Sequence, residues 1–309
     1  MKILVLGAGA IGGYFGGRLM QAGADVTFLV REARQRKLAA GGLRIASPYG
    51  DYTGQPRTVL GADLRPGWDV VIVASKAYDL DTAIEAIRPA VGEGTAVLPL
   101  LNGIVHLDTL NAAFGRERVL GGLAKIVAAV DGEGTIRHLN DWRYITFGEQ
   151  DGRMSERVLA LQALFPAESV VASAVPDIHQ RMWEKVVHLA TVAGIASLMR
   201  ASVGEIASAP GGSELLTGFL ERNAAIAAAE GYPISESFLD EYRQLFRNTQ
   251  SGYVPSLLRD IERGNRIEGE HILGHMLQLA VRHGLPDDLH RLVYIHLKAY
   301  EARREAGRL

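Results

Sequence analysis

Three glycines, Gly7, Gly9 and Gly12, stand in GxGxxG spacing directly after the apolar run KILVL at 2–6. Ala10 to Gln21 reads as a helix. The order of strand, glycine turn and helix is the setting that a dinucleotide fingerprint requires. Gly7 permits the tight turn, Gly9 lets a pyrophosphate approach the backbone, and Gly12 lets helix and strand pack closely. The turn, with Ala8, Ala10 and Ile11 between the glycines, brings N–H groups and the positive end of the helix dipole to a phosphate. A chance glycine-rich turn would lack these flanks.

DVTFLV at 25–30 alternates and is β-branched, the pattern of a second strand. A site for NAD places an acid at the end of this strand to hold the ribose 2′-hydroxyl. Here the strand runs into Arg31, and a guanidinium suits the bidentate bonds of a 2′-phosphate. Glu32 follows and could reach a ribose. Arg31 and Glu32 could equally open a solvated helix that continues through Arg34, Arg36 and Lys37. The balance favours NADP(H) over NAD(H).

Lys76 follows the apolar strand DVVIVAS at 69–75, and Asn102 follows TAVLPLL at 95–101. Both stand at carboxyl ends of strands, where ligands of open α/β sheets bind. Taken singly, Lys76 also reads as a surface lysine and Asn102–Gly103 as a turn. Farther on, Lys185 sits in the apolar segment MWEKVVHLATVAG among Trp183, Val186, Val187 and Leu189. Burial there would lower its pKa and suit it to give a proton to a carbonyl oxygen. The rival reading leaves its ammonium in water. Ser256 stands near a helix start, where it could bind a carboxylate or simply cap the helix. Glu268 opens the next helix, a place the dipole favours for an acid. His271 and His275 are four apart, but HExxH and a third ligand are missing, so they read as a solvated face and not as a metal site.

The scaffold that must position these groups has 309 residues, 48% hydrophobic and 22% charged. That is a soluble globular composition, long enough for two domains. A net charge of −2 argues against nucleic acid or a membrane surface as partner. With no cysteine there is no disulfide, thiolate nucleophile or Cys-held zinc. No apolar run approaches the ~18 residues of a membrane span, and KILVL is too short for a signal segment, which points to the cytoplasm. Through residue 176 strands and helices alternate. Helices are expected at 32–40, 79–90, 104–114 and 153–165, with a turn- and glycine-rich section from the first of them to 67. Further strands are expected in 119–130, 135–139, 144–149 and 170–175. This predicts an α/β Rossmann domain over 1–176, a mostly parallel, doubly wound sheet with helices on both faces. From 177 to 309 helical periodicity takes over, at 177–199, 212–230, 235–247, 256–263, 267–283 and 286–305, with Gly231, Gly264 and Gly284 as helix ends. The second domain should be all-α.

Together these residues resemble the ketopantoate reductase (2-dehydropantoate 2-reductase) family. The resemblance spans nearly the whole chain: GAGAIG at the start, Arg31, the lysine of SKAYD, the asparagine of LNG, the W-x-K helix, and SLLRDIERGNRIE with Ser256 and Glu268 twelve apart. It implies a cytoplasmic NADPH-dependent oxidoreductase of pantothenate biosynthesis that reduces a 2-keto acid to the 2-hydroxy acid between its domains. Lys185 then matches the proton donor, and Glu268 the carboxylate near the cofactor ribose and that lysine. Asn102 matches the residue touching both substrate and cofactor, Ser256 a substrate ligand and Lys76 a cofactor-side lysine. Three positions depart from the pattern: Leu189, Ala193 and Val203 stand where the family has asparagines that hold the hydroxyl and keto-acid end of ketopantoate. His188 and Thr191 could replace those bonds or simply pack in the core. A more apolar 2-keto acid is therefore the alternative substrate. A non-catalytic NADP(H)-binding regulator and a 3-hydroxy-acid dehydrogenase are the remaining readings. A homodimer through the helical domain is left open.

Overall fold

KILVL forms β1 (Lys2–Leu6), and the side chains of Ile3, Leu4 and Val5 are fully buried. Around it lie β2 (Asp25–Leu29), β5 (Arg57–Val59), β6 (Val70–Val73) and β7 (Ala96–Pro99). They make a wholly parallel five-stranded sheet in the order β5-β2-β1-β6-β7. VVIV and AVLP are buried along their whole length, as strands covered on both faces must be. Leu6 pairs with both Leu29 and Val73, so three carboxyl ends stand level. The helices α1 (Ala10–Gln21), α2 (Glu32–Gly41), α3 (Leu80–Ile87) and α4 (His106–Phe114) follow individual strands.

The rest of this half is less parallel than its sequence suggests. The section between α2 and residue 67 is not all turn: it contains β3 (Leu43–Ala46), β4 (Tyr52–Gly54) and β5. Leu43 and Ile45 are buried against Gly17 of α1, where an added Cβ would lie 2.8 and 2.7 Å from them. Such short strands carry little periodicity, and packing against α1 decides their state. The stretch 119–130 divides into β8 (Leu120–Lys125) and β9 (Ala128–Val130). With β10 (Ile136–His138), β9, β3 and β4 form a mixed sheet in the order β4-β3-β10-β9. A third sheet holds β11 (Tyr144–Glu149) between antiparallel β8 and parallel β12 (Val171–Ala174), with α5 (Glu156–Ala163) between these last two strands in the chain.

Beyond Ile178 the structure is helical: α6 (Ile178–Met199), α7 (Val203–Ser208), α8 (Gly212–Ala229), α9 (Glu236–Leu245), α10 (Ser256–Glu262), α11 (His275–Arg282) and α12 (Asp288–Glu305). The hydrophobic pattern does not reveal α7, which is opened by a reciprocal capping box between Ser202 and Glu205. A π-helical turn, Glu270–Gly274, precedes α11, so no single α-helix runs through 267–283. Trp183, Val187, Ala193, Phe219, Leu273 and Met276 belong to one buried core here. A polar chain crosses that core: Thr191 Oγ1 donates to the Val187 carbonyl at 2.7 Å and accepts from Asn223 Nδ2 at 3.1 Å. Asn223 Oδ1 meets His290 Nε2 at 3.1 Å.

The computed structural model describes residues 1–309. They group into two compact units, Met1–Leu101 with His106–Ile178, and Asn102–Val105 with His179–Leu309. No helix is long and apolar enough to cross a membrane.

Candidate active site

At the level carboxyl ends of β1, β2 and β6 lies a pocket of about 440 Å³, lined among others by Gly7, Ala8, Gly9, Arg31, Arg34 and Ser75. Gly7 turns the chain at φ +85° while its N–H donates to the Leu29 carbonyl at 2.9 Å. Gly9 is the N-cap of α1 and no side chain caps this end, so the first-turn N–H groups can serve an anion. Open space surrounds the place where a Gly9 Cβ would be, whereas a Cβ on Gly12 would lie 2.5 Å from the Gly7 carbonyl oxygen. Gly9 thus supplies room for a ligand and Gly12 supplies close packing. Ala10 and Ile11 are half-buried on the same first turn of α1. These residues fit a dinucleotide.

Arg31 is exposed and is the N-cap of α2. Arg34 is not part of a merely solvated face. It lines the same pocket, its guanidinium donates to the Ala8 carbonyl at 2.8 Å, and desolvation lowers its pKa. The signal for it was present in the sequence, because a residue three after Arg31 shares its helix face. Lys76 is half-buried and is the N-cap of the short helical turn Ala77–Asp79, next to Ser75.

The helical unit brings the other candidates together. Lys185 is half-buried on α6, and desolvation lowers its pKa to about 8 while the Glu268 charge pulls the other way. Glu268 is buried and stands two residues before the π-helical turn, next to its N-cap Gly269. The Asn102–Gly103 turn meets that same turn: Gly103 has φ +88°, and a Cβ there would lie 2.8 Å from the His271 carbonyl oxygen. Insertions of this kind are frequent at functional sites. His271 lies within that turn and His275 follows it; both are half-buried and do not form a solvated face. Ser256 is exposed at the first position of α10, where Pro255 is the N-cap, so its hydroxyl is not spent on capping. Leu189 is half-buried, while Ala193 and Val203 are in the core. Thr191 also faces the core. His188 is stacked on Tyr242 with ring centroids 4.3 Å apart.

Residues 3–152 match the ketopantoate reductase PanE/ApbA domain, and residues 177–301 match the ketopantoate reductase PanE/ApbA C-terminal domain. The chain belongs to the ketopantoate reductase family. The family match makes it an oxidoreductase dependent on a pyridine nucleotide. It is 36% identical over 304 residues to the uncharacterized oxidoreductase YkpB of Bacillus subtilis (strain 168), covering 98% of this chain and 100% of that one. It is 28% identical over 302 residues to a 2-dehydropantoate 2-reductase of Mesorhizobium japonicum, covering 90% and 91% of the two chains. A solved 2-dehydropantoate 2-reductase from Geobacter metallireducens GS-15 superposes with a TM-score of 0.87 at 29% identity, covering 97% of this chain and 99% of that one. A D-mandelate dehydrogenase solved with NADH and anilino(oxo)acetate shares the fold, with a TM-score of 0.85 at 20% identity over 99% of each chain.

Proposed function

We propose that this member of the ketopantoate reductase family reduces a 2-keto acid to the 2-hydroxy acid with NADPH, as in the conversion of 2-dehydropantoate to pantoate. The observation that supports it most is a desolvated Lys185 ammonium opposed by the buried Glu268 carboxylate. When bound, the reduced nicotinamide supplies hydride to the keto carbon. Lys185 donates a hydrogen bond to the keto oxygen and gives up its proton as negative charge develops there. With a pKa near 8 rather than 10.5, it is a stronger acid than a solvated lysine yet still protonated at neutral pH. Glu268 holds that proton in place until it is needed. Ser256 offers its hydroxyl to the substrate carboxylate, and the Asn102 amide orients the keto group. Arg31, with Arg34 at the edge of the same pocket, favours the 2′-phosphate of NADPH over the bare ribose of NADH.

The test is a panel of 2-keto acids, 2-dehydropantoate included, followed by loss of NADPH absorbance. The reading fails if no member of the panel oxidises NADPH or NADH faster than buffer alone.

A further inference from the structure

Glu268 stands on a segment with little regular structure of its own. Between the end of α10 at Glu262 and the start of α11 at His275 lies the π-helical turn Glu270–Gly274. A turn that carries an extra residue is not a shape that local preference selects. Contacts from outside the segment must hold it, and α12 supplies them.

These contacts follow the segment in order. Arg304 Nε donates to the Gly264 carbonyl at 3.0 Å, and the Tyr300 hydroxyl donates to the Asn265 carbonyl at 2.7 Å. Gly269, the residue after Glu268, is buried, and a Cβ there would lie 3.0 Å from Leu297 Cδ1. The Tyr294 hydroxyl donates to Glu270 Oε2 at 2.8 Å, and Lys298 Nζ lies 3.6 Å from the same oxygen. Arg304, Tyr300, Leu297 and Tyr294 are spaced four, three and three apart, on one side of the helix. That side of α12 thus grips the stretch carrying Glu268 both before and after the carboxylate.

The Glu270 side chain lies over Gly274. A Cβ on Gly274 would meet Glu270 Oε1 at 2.7 Å and Tyr294 Cε2 at 3.0 Å, although its backbone, at φ −62° and ψ −44°, suits any helical residue. Glycine at 274 leaves the room that the carboxylate occupies. The hydrogen bond to that carboxylate raises the Tyr294 phenol above its usual pKa, so the phenol remains the donor. Lys298 and Glu301 are the other charged groups beside this pair, and they bond to each other at 2.6 Å.

We propose that α12 positions Glu268: Tyr294, bonded to Glu270 in the room left by Gly274, keeps the Glu268 carboxylate where its charge acts on Lys185. Tyr294 is a positioning residue for the proton donor, and the inference rests on the reading of Lys185 in that role. The test follows the Lys185 titration by NMR of the whole protein labelled at lysine Cε, the signal being assigned by its loss in Lys185→Ala. Tyr294→Phe removes the hydroxyl and keeps the ring. Gly274→Ala displaces the Glu270 carboxylate and leaves every polar group present. Both should move the Lys185 midpoint to lower pH by about 0.3–0.5 of a unit, part of the roughly one unit expected when the Glu268 charge itself is removed. In a Glu268→Gln background neither substitution should move it further. Packing loosened without loss of the Glu268 charge would admit water to Lys185 and move the midpoint up, the opposite sign. A midpoint that stays or rises in both single variants overturns the proposal, as does a shift that survives in Glu268→Gln. The titration needs no substrate, so its outcome is distinct from a failure of the keto-acid reading, which shows as no oxidation of NADPH or NADH with any acid.

Discussion

In the nucleotide-binding unit, what a diphosphate needs lies within Leu6–Gly12 and the ends of two neighbouring strands. In the helical unit the candidate groups come from separate segments: Asn102–Gly103, Lys185–Leu189 and Ser256–Glu268. The first site is made of main-chain N–H groups and glycines, so its specificity is written in backbone geometry. The second is made of side chains whose environment is set by distant packing. The first constrains sequence tightly and has little latitude to change its ligand. The second can change with any of the side chains that compose it while the main chain stays as it is. Within one family, cofactor use should thus be more uniform than substrate use.

Substitutions can be chosen that separate the two sites. The largest effect is expected at Lys185. Lys185→Ala should lower kcat by roughly 10²–10⁴-fold, the usual size of a general-acid contribution, and leave NADPH affinity intact. Stopped-flow turnover and NADPH fluorescence titration check the two halves. A variant retaining most of its turnover would move proton donation to another group, His188 being the nearest imidazole on that helix.

The converse is expected at Arg31, where alanine should touch only the cofactor. A charged bidentate contact contributes ~1.5–3 kcal/mol, so NADPH affinity should fall roughly tenfold to a hundredfold in Arg31→Ala while NADH affinity barely changes. Equal affinity of the native enzyme for both cofactors would remove the basis for a 2′-phosphate site. Gly103→Ala sharpens the comparison from the helical side. Its left-handed conformation costs about 1–2 kcal/mol for a residue with a Cβ, and that Cβ would also meet the His271 carbonyl. A drop of roughly 5- to 30-fold in kcat/KM is expected, with unchanged circular dichroism. An unaltered kcat/KM would show that this turn does not position Asn102.

The same contrast explains what the sequence reveals. Gly7, Gly9 and Gly12 are legible because contiguous residues and their spacing specify a backbone shape. The apolar strands β1, β6 and β7 are legible because burial on both faces leaves no polar position. β3 and β4 are hidden, because a three- or four-residue strand is decided by what packs on it, here Gly17 of α1. The π-helical turn before α11 has no periodicity to betray it, and Glu268 in consequence looks like an ordinary first-turn acid when it is buried. Thr191 could serve substrate or core by sequence alone, and only Asn223, 32 residues away, decides for the core.

The smallest expected effect bears on how Glu268 serves Lys185. Burial drives the Lys185 pKa down to about 8, and the Glu268 charge acts upward against it. Reduction needs the ammonium, so kcat/KM should be level below about pH 8 and fall roughly tenfold per unit above it. Oxidation of the 2-hydroxy acid needs the neutral amine and should rise over the same interval. Glu268→Gln keeps the size of the side chain and removes its charge. Desolvation then acts unopposed, the lysine loses its proton more readily, and the alkaline limb for reduction should move below pH 8, by roughly one unit for a neighbouring opposite charge. The variant should consequently fall behind the native enzyme as the pH rises through 8, stay behind by a constant factor above it, and recover toward it on acidification. A uniform loss at every pH would mean that Glu268 acts by packing or by binding the cofactor ribose, and that the ammonium is held by some other charge.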